Sequence, residues 1–236
     1  MGIGNFFGLL PENMKDSELY GVELDSITGR IAKQLYPNAD IQVKGFEKTD
    51  FDSGFFDAAV GNVPFGNYRL YDEEFHDGEL IHDFFFKKSL DKVRPGGLVA
   101  FVTSKGTLDK ADTKVREYLA QSADLLGAIR LPNTAFKKKA NTEVTADILF
   151  LKKRENLRDF EKEGKPEWTD TTTTLDGLPI NSYFVSHPQM VLGEMKEVTR
   201  RYGKETACLP FENKSLDKLL EEAVSELGKD IAALDN

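Results

Sequence analysis

The chain has 236 residues, 40% of them hydrophobic and 30% charged, which excludes disorder throughout and leaves enough apolar material for a sizeable core. One cysteine, Cys208, excludes an internal disulfide. No Cys/His spacing fits a zinc site, and no apolar run or leader points to a membrane, so a reducing, cytoplasmic setting is expected. The net charge of −9 argues against indiscriminate nucleic-acid binding, but residues 155–236 hold 10 basic against 17 acidic side chains and residues 1–154 hold 21 against 23. A locally basic face on the first part therefore remains open, with Lys137-Lys138-Lys139 as its candidate and a solvated loop as the plain alternative.

The first segment, Gly2-Ile3-Gly4-Asn5-Phe6-Phe7-Gly8, spaces glycines as a backbone does where a strand turns into a helix against a ligand. Its third glycine comes one residue too late for a dinucleotide fingerprint. A strand over Leu19–Leu24 ends in acidic residues and leads into a helix over Ser26–Leu35, capped by Asp25 or Ser26. Glu23, at the end of that strand, is placed to accept hydrogen bonds from ribose hydroxyls, so the opening segments together suggest a nucleoside-bearing cofactor.

Short apolar runs at Ile41–Val43, Phe56–Gly61, Leu98–Thr103, Leu125–Leu131 and Ala146–Leu151 predict further strands. Helical patterns fill His82–Val93, ending at Pro95-Gly96-Gly97, and Asp112–Leu119, with His82 and Asp83 placed to cap the first of these. This alternation predicts an α/β domain with a mostly parallel sheet. Only Pro132–Thr145 separates the last two strands, so they are expected to pair as an antiparallel edge. A polar stretch from about residue 155 marks a boundary between a domain over 1–154 and an acidic extension over 155–236. That extension closes with an amphipathic helix carrying Leu216, Leu219, Leu220, Val224, Leu227, Ile231 and Leu234.

The most specific motif is Phe56-Asp57-Ala58-Ala59-Val60-Gly61-Asn62-Val63-Pro64-Phe65-Gly66-Asn67, an apolar strand ending in Asn, then Pro and an aromatic. It resembles the Asn-Pro-Pro-Tyr/Phe signature of amino-group methyltransferases, above all the N6-adenine DNA methyltransferases, with Val63 in place of the first proline. An exocyclic adenine amine is a poor nucleophile because its lone pair is conjugated with the ring. Two acceptors, the Asn62 side-chain oxygen and the Val63 carbonyl, can take its two N–H protons and turn the lone pair toward a methyl donor. The loss of proline releases one φ restraint, so a looser loop is expected.

The resemblance covers residues 1–154 and implies a Rossmann-like methyltransferase sheet with S-adenosylmethionine as cofactor. It implies that Gly2 and Gly4 form the cofactor turn and that Glu23 holds the ribose. Asp50 would accept from the cofactor's adenine amine while Phe51 stacks on that ring, although a turn role for Asp50 and a core role for Phe51 serve equally well. Phe65 would stack on a target adenine flipped out of DNA, Phe136 would face it from the other side, and Lys137 would meet phosphate. Glu23, Asp50 and Asn62 are then expected at neighbouring carboxyl ends of strands, converging on one cleft.

The family's first strand precedes its glycine turn, so this sheet is expected to lack that strand and to bind cofactor weakly without upstream residues. Pro179–Phe184 and His187-Pro188 to Leu192-Gly193 resemble a segment following the methylase in large helicase-methyltransferase proteins of mobile elements, which implies further domains such as a helicase. RNA or a protein glutamine as the methyl acceptor, and a non-catalytic scaffold, remain alternatives. Five acids at Asp72, Glu73, Glu74, Asp77 and Glu79 follow the tetrad and are expected to be solvated, and His76 and His187 show no ligand partners.

Overall fold

The computed structural model describes residues 1–66, 68–72, 79–137, 143–200 and 203–234. Strand β1 (Tyr20–Glu23) leads into helix α1 (Ser26–Leu35) and returns as β2 (Asp40–Val43), which pairs with β1 in parallel. Asp25 is the cap of α1, its carboxylate accepting from the Thr28 amide at 2.7 Å and satisfying one of the helix's orphan N–H groups.

The chain then builds a four-stranded sheet from β3 (Phe56–Asn62), β6 (Val93–Ser104), β7 (Ala123–Leu131) and β8 (Ala146–Lys153). Between β3 and β6 lie a short ribbon, β4 (Arg69–Leu70) with β5 (Glu79–Leu80), and helix α2 (Ile81–Lys92). Helices α3 (Gly106–Asp109) and α4 (Lys114–Ser122) lie between β6 and β7. The spatial order is β3-β6-β8-β7. Because β3 and β6 are parallel and β8 is antiparallel to both of its neighbours, β3, β6 and β7 run the same way and β8 alone is reversed. The expected antiparallel pair forms this edge, with β8 inside and β7 outermost.

Among the described residues no strand joins the β1–β2 pair to β3. The two sheets meet at their strand starts, where the Tyr20 ring lies 5.4 Å from the rings of both Phe55 and Phe56. Tyr20 and Phe56 open β1 and β3, so Glu23 and Asn62 each lie at the other end of their own strand.

Residues after 154 pack into the same core. Strands β9 (Thr171–Thr173) and β10 (Pro179–Asn181), with α5 (Phe160–Glu163) before them and α6 (Ser182–Ser186) after, bring in Trp168, Ile180, Tyr183 and Phe184. A hairpin of β11 (Glu194–Arg200) and β12 (Gly203–Leu209) follows, and then the amphipathic helix α7 (Leu216–Leu234). Leu227 of α7 packs directly on Gly127 of β7, where a Cβ would force the leucine side chain to shift. Among the described residues no helix is long and apolar enough to cross a membrane.

Arg130 on β7 is fully buried and binds two carboxylates. It donates twice to Asp147, both at 2.8 Å, and twice to Asp109, at 2.8 and 2.9 Å, while stacking 4.3 Å from the Phe184 ring. Asp109 also accepts from the Asn181 amide at 3.0 Å, so this ion cluster ties the sheet to the tail.

Candidate active site

The tetrad sits where β3 ends. Asn62, the last residue of the strand, is in register with Val102, and the Val63 amide still donates to the Val102 carbonyl at 3.0 Å. The Val63 side chain is buried in the core, whereas Asn62, Pro64 and Phe65 are exposed. A proline has no N–H, so the ladder bond that Val63 makes to β6 is one the family's proline could not make.

At the end of β1, the Glu23 carboxylate accepts from the Gly2 amide at 2.7 Å, the terminal ammonium at 3.1 Å and the Asp25 amide at 2.9 Å. Burial pushes its pKa up, but the Asp25 and Gly2 amides and the ammonium more than offset this and hold it below the usual glutamate range. Gly2 and Gly4 both take positive φ, of 64° and 90°, so the turn requires glycine, and Gly4 lies under the Tyr36 ring. Glu23 and the glycine turn are thus in direct contact.

Asp50 and Phe51 are placed differently. The Asp50 side chain is 90% exposed and reaches Lys44 at 3.4 Å. The Phe51 ring packs 6.2 Å from Tyr20 and 4.9 Å from Phe56, at the starts of β1 and β3, which is the end of the sheet remote from Glu23 and Asn62. The residues that directly follow β2, beside Glu23, are Lys44, Gly45, Phe46 and Glu47, since Glu23 and Val43 are register partners. Phe46 lies 6.0 and 5.0 Å from the Phe84 and Phe85 rings of α2, and the Glu47 carboxylate folds over Gly45. The signal for these residues was their immediate succession to an apolar strand.

Phe136 follows β7 in a turn and rests half-buried against the core, and exposed Lys137 pairs with Glu143 at 2.6 Å. Lys138 and Lys139 lie outside the described residues, as do His76 and three of the five acids, Glu73, Glu74 and Asp77. Asp72 is not solvated, because it is buried against Lys88 of α2. Nor do His82 and Asp83 cap α2. Leu80 holds the cap position, and buried Asp83 instead accepts from Lys110 at 2.8 Å. Beside the tetrad's strand, Lys105 follows β6 and donates to Thr206 of β12 at 3.0 Å. The Cys208 amide donates to Thr145 at 2.9 Å, and its carbonyl accepts from the Asn133 amide at 2.7 Å. The β11–β12 hairpin is thereby seated on the same edge as the tetrad.

The family model for N-6 DNA methylases matches residues 9–165, which includes the tetrad and the whole four-stranded sheet. The chain belongs to the N-6 DNA methylase family. The chain is 33% identical over 139 residues to the defense against restriction protein B of Escherichia phage P1, covering 56% of the chain and 6% of that protein. Among solved structures it superposes on a protein of Listeria monocytogenes assigned to the class I S-adenosylmethionine-dependent methyltransferases. The TM-score is 0.54 at 20% identity, over 65% of this chain and 51% of that one. It also superposes on the M protein of the type I restriction enzyme EcoKI, with a TM-score of 0.51 at 15% identity, over 96% of this chain and 61% of that one. The chain spans only a small part of the curated relative and between half and two thirds of these structures, whose low identities show the fold alone.

Proposed function

We propose that this domain transfers a methyl group from S-adenosylmethionine to the N6 amine of adenine in DNA, as part of a restriction, antirestriction or mobile-element system. The observation that carries the reading is the tetrad: an exposed Asn62 and Phe65 at the end of β3, on a loop fixed by the Val63 ladder bond. The donor set suits the cofactor, since a carboxylate with acceptor capacity lies beside two glycines whose turn exposes backbone.

In this reading Glu23 holds the ribose hydroxyls, and Gly2 and Gly4 allow close approach of backbone. For the cofactor's adenine, the placement of Phe46 and Glu47 beside Glu23 supports them over Asp50 and Phe51. When bound, S-adenosylmethionine supplies an electrophilic methyl on its sulfonium. Asn62 and the Val63 carbonyl accept the two N–H bonds of the target amine and bias its nitrogen toward a tetrahedral shape. Phe65 stacks on the flipped base, Phe136 bounds its pocket, and Lys137 meets phosphate. Methyl transfer is assigned to residues 1–154, with 155–236 as a buttress, and a longer polypeptide or partner subunits supply sequence recognition.

The test is Asn62→Ala in the full-length protein. Asn62 matters chiefly while the amine is being reshaped, so turnover on adenine-containing DNA should fall about a hundredfold or more. Cofactor affinity should stay near wild type. Near-normal turnover, or a loss explained by weaker cofactor binding alone, would remove Asn62 from the proposed role.

A further inference from the structure

Lys88 lies in the middle of α2 and its side chain is 1% exposed. Its ammonium donates to Asp72 at 2.7 Å and to the Thr49 carbonyl at 3.0 Å, and it lies 5.4 Å from the Phe46 ring centre. These partners belong to two loops far apart in sequence. Thr49 and Phe46 follow β2, on the side proposed for the cofactor, and Asp72 follows β4, the first element after the tetrad. Asp72 itself is 2% exposed, although the residues on either side of β4, Tyr68 and Tyr71, are largely exposed.

A buried ion pair is a poor device for stability, because desolvation offsets the attraction and apolar residues of similar volume do as well. It is a stringent device for position. If either loop moves by much more than a hydrogen-bond length, a charge is left buried without its partner, which is far costlier than losing an apolar contact. The two loops are therefore constrained to shift together.

We propose that Lys88 is a positioning residue that couples the cofactor-side loop at 46–49 to the substrate-side loop at 68–72 through Asp72. Order imposed on the first loop by a ligand is passed to the segment flanking the tetrad. The inference rests on the proposed placement of cofactor and substrate, and its test separates the two.

Hydrogen exchange is measured on the full chain with and without S-adenosylmethionine. In the unliganded protein, Asp72→Ala should speed exchange at residues 46–51 about tenfold, while amides in the sheet keep their wild-type protection. The double variant Lys88→Met/Asp72→Leu removes both charges, keeps apolar packing and guards against simple unfolding. With it, S-adenosylmethionine should protect 44–51 but no longer 68–72, whereas wild type should show protection of both. A merely structural role for Lys88 would not break that correlation.

Exchange at 46–51 that stays within about twofold of wild type in Asp72→Ala overturns the proposal, as does full transmission of protection in the double variant. If the cofactor protects neither loop in wild type, the cofactor reading fails, and the unliganded Asp72→Ala response still decides the coupling. Should Asp72→Ala not fold, the exchange of the unliganded double variant decides it. Both loops should then respond to the loss of the pair, and no response in either overturns the proposal.

Discussion

Replacing Arg130 by methionine would test how far the ion cluster holds the sheet to the tail. The substitution keeps much of the side-chain volume but removes four charge-assisted hydrogen bonds and strands Asp147, which is fully buried, and Asp109, which is nearly so. Breaking a buried pair in this way costs about 3–5 kcal/mol. Domain stabilities are typically about 5–15 kcal/mol, so the variant should be severely weakened or unfolded. With a urea slope of about 2–3 kcal/mol/M, the unfolding midpoint should fall by about 1–2 M.

The loss should also depend on pH. Burial pushes Asp147 above its ordinary value even with Arg130 beside it, and removing the cation can only push it further. A raised folded pKa gives stability that is present below the unfolded value and lost as pH rises through the folded one. The deficit of the variant should therefore be larger near neutrality than in mild acid. The control Arg130→Met/Asp109→Leu/Asp147→Leu should recover most of the loss, short of about 1 kcal/mol for the bond from the Asn181 amide. A midpoint shift worth under about 1 kcal/mol, or a deficit that grows on acidification, would refute the reasoning.

Further outcomes are expected elsewhere. Val63→Pro restores the family's tetrad yet should destabilise the domain by about 1–3 kcal/mol, because it removes the bond to Val102 and part of a buried side chain; a stabilised variant in urea unfolding would contradict this. Cys208 is pushed up to about 12 by burial, with Arg130 opposing and Asp147 adding. Its thiol should react with a disulfide reagent in mild alkali only as the protein unfolds, and rapid reaction of the native protein would show the burial to be wrong. Because the pKa of Glu23 is lowered, its stabilising contribution is present above the ordinary glutamate value and lost as pH falls through the folded one. Glu23→Gln should flatten the acid side of the thermal-stability profile, and an unchanged acid limb would remove Glu23 from the turn's support.

The elements that sequence alone determined are those whose signals are local. Apolar runs of strand length became β3, β6, β7 and β8, the Asp25 cap starts α1, and the tetrad lies at a strand end, because strand period, capping and turn chemistry are written within a few residues.

Only the tertiary structure decided what long-range packing controls. It carries Phe51 to the opposite end of the sheet from Glu23 and sets Phe46 and Glu47 beside it, a choice made by the path of a loop and not by composition. It also turns Asp72, which reads in sequence as a solvated charge, and Lys88 and Arg130, which the sequence does not mark out, into buried pairs whose partners lie 16 or more residues away. A charged side chain carries no local mark of burial. Whether it meets solvent or a counter-ion depends on which distant segment the fold brings against it.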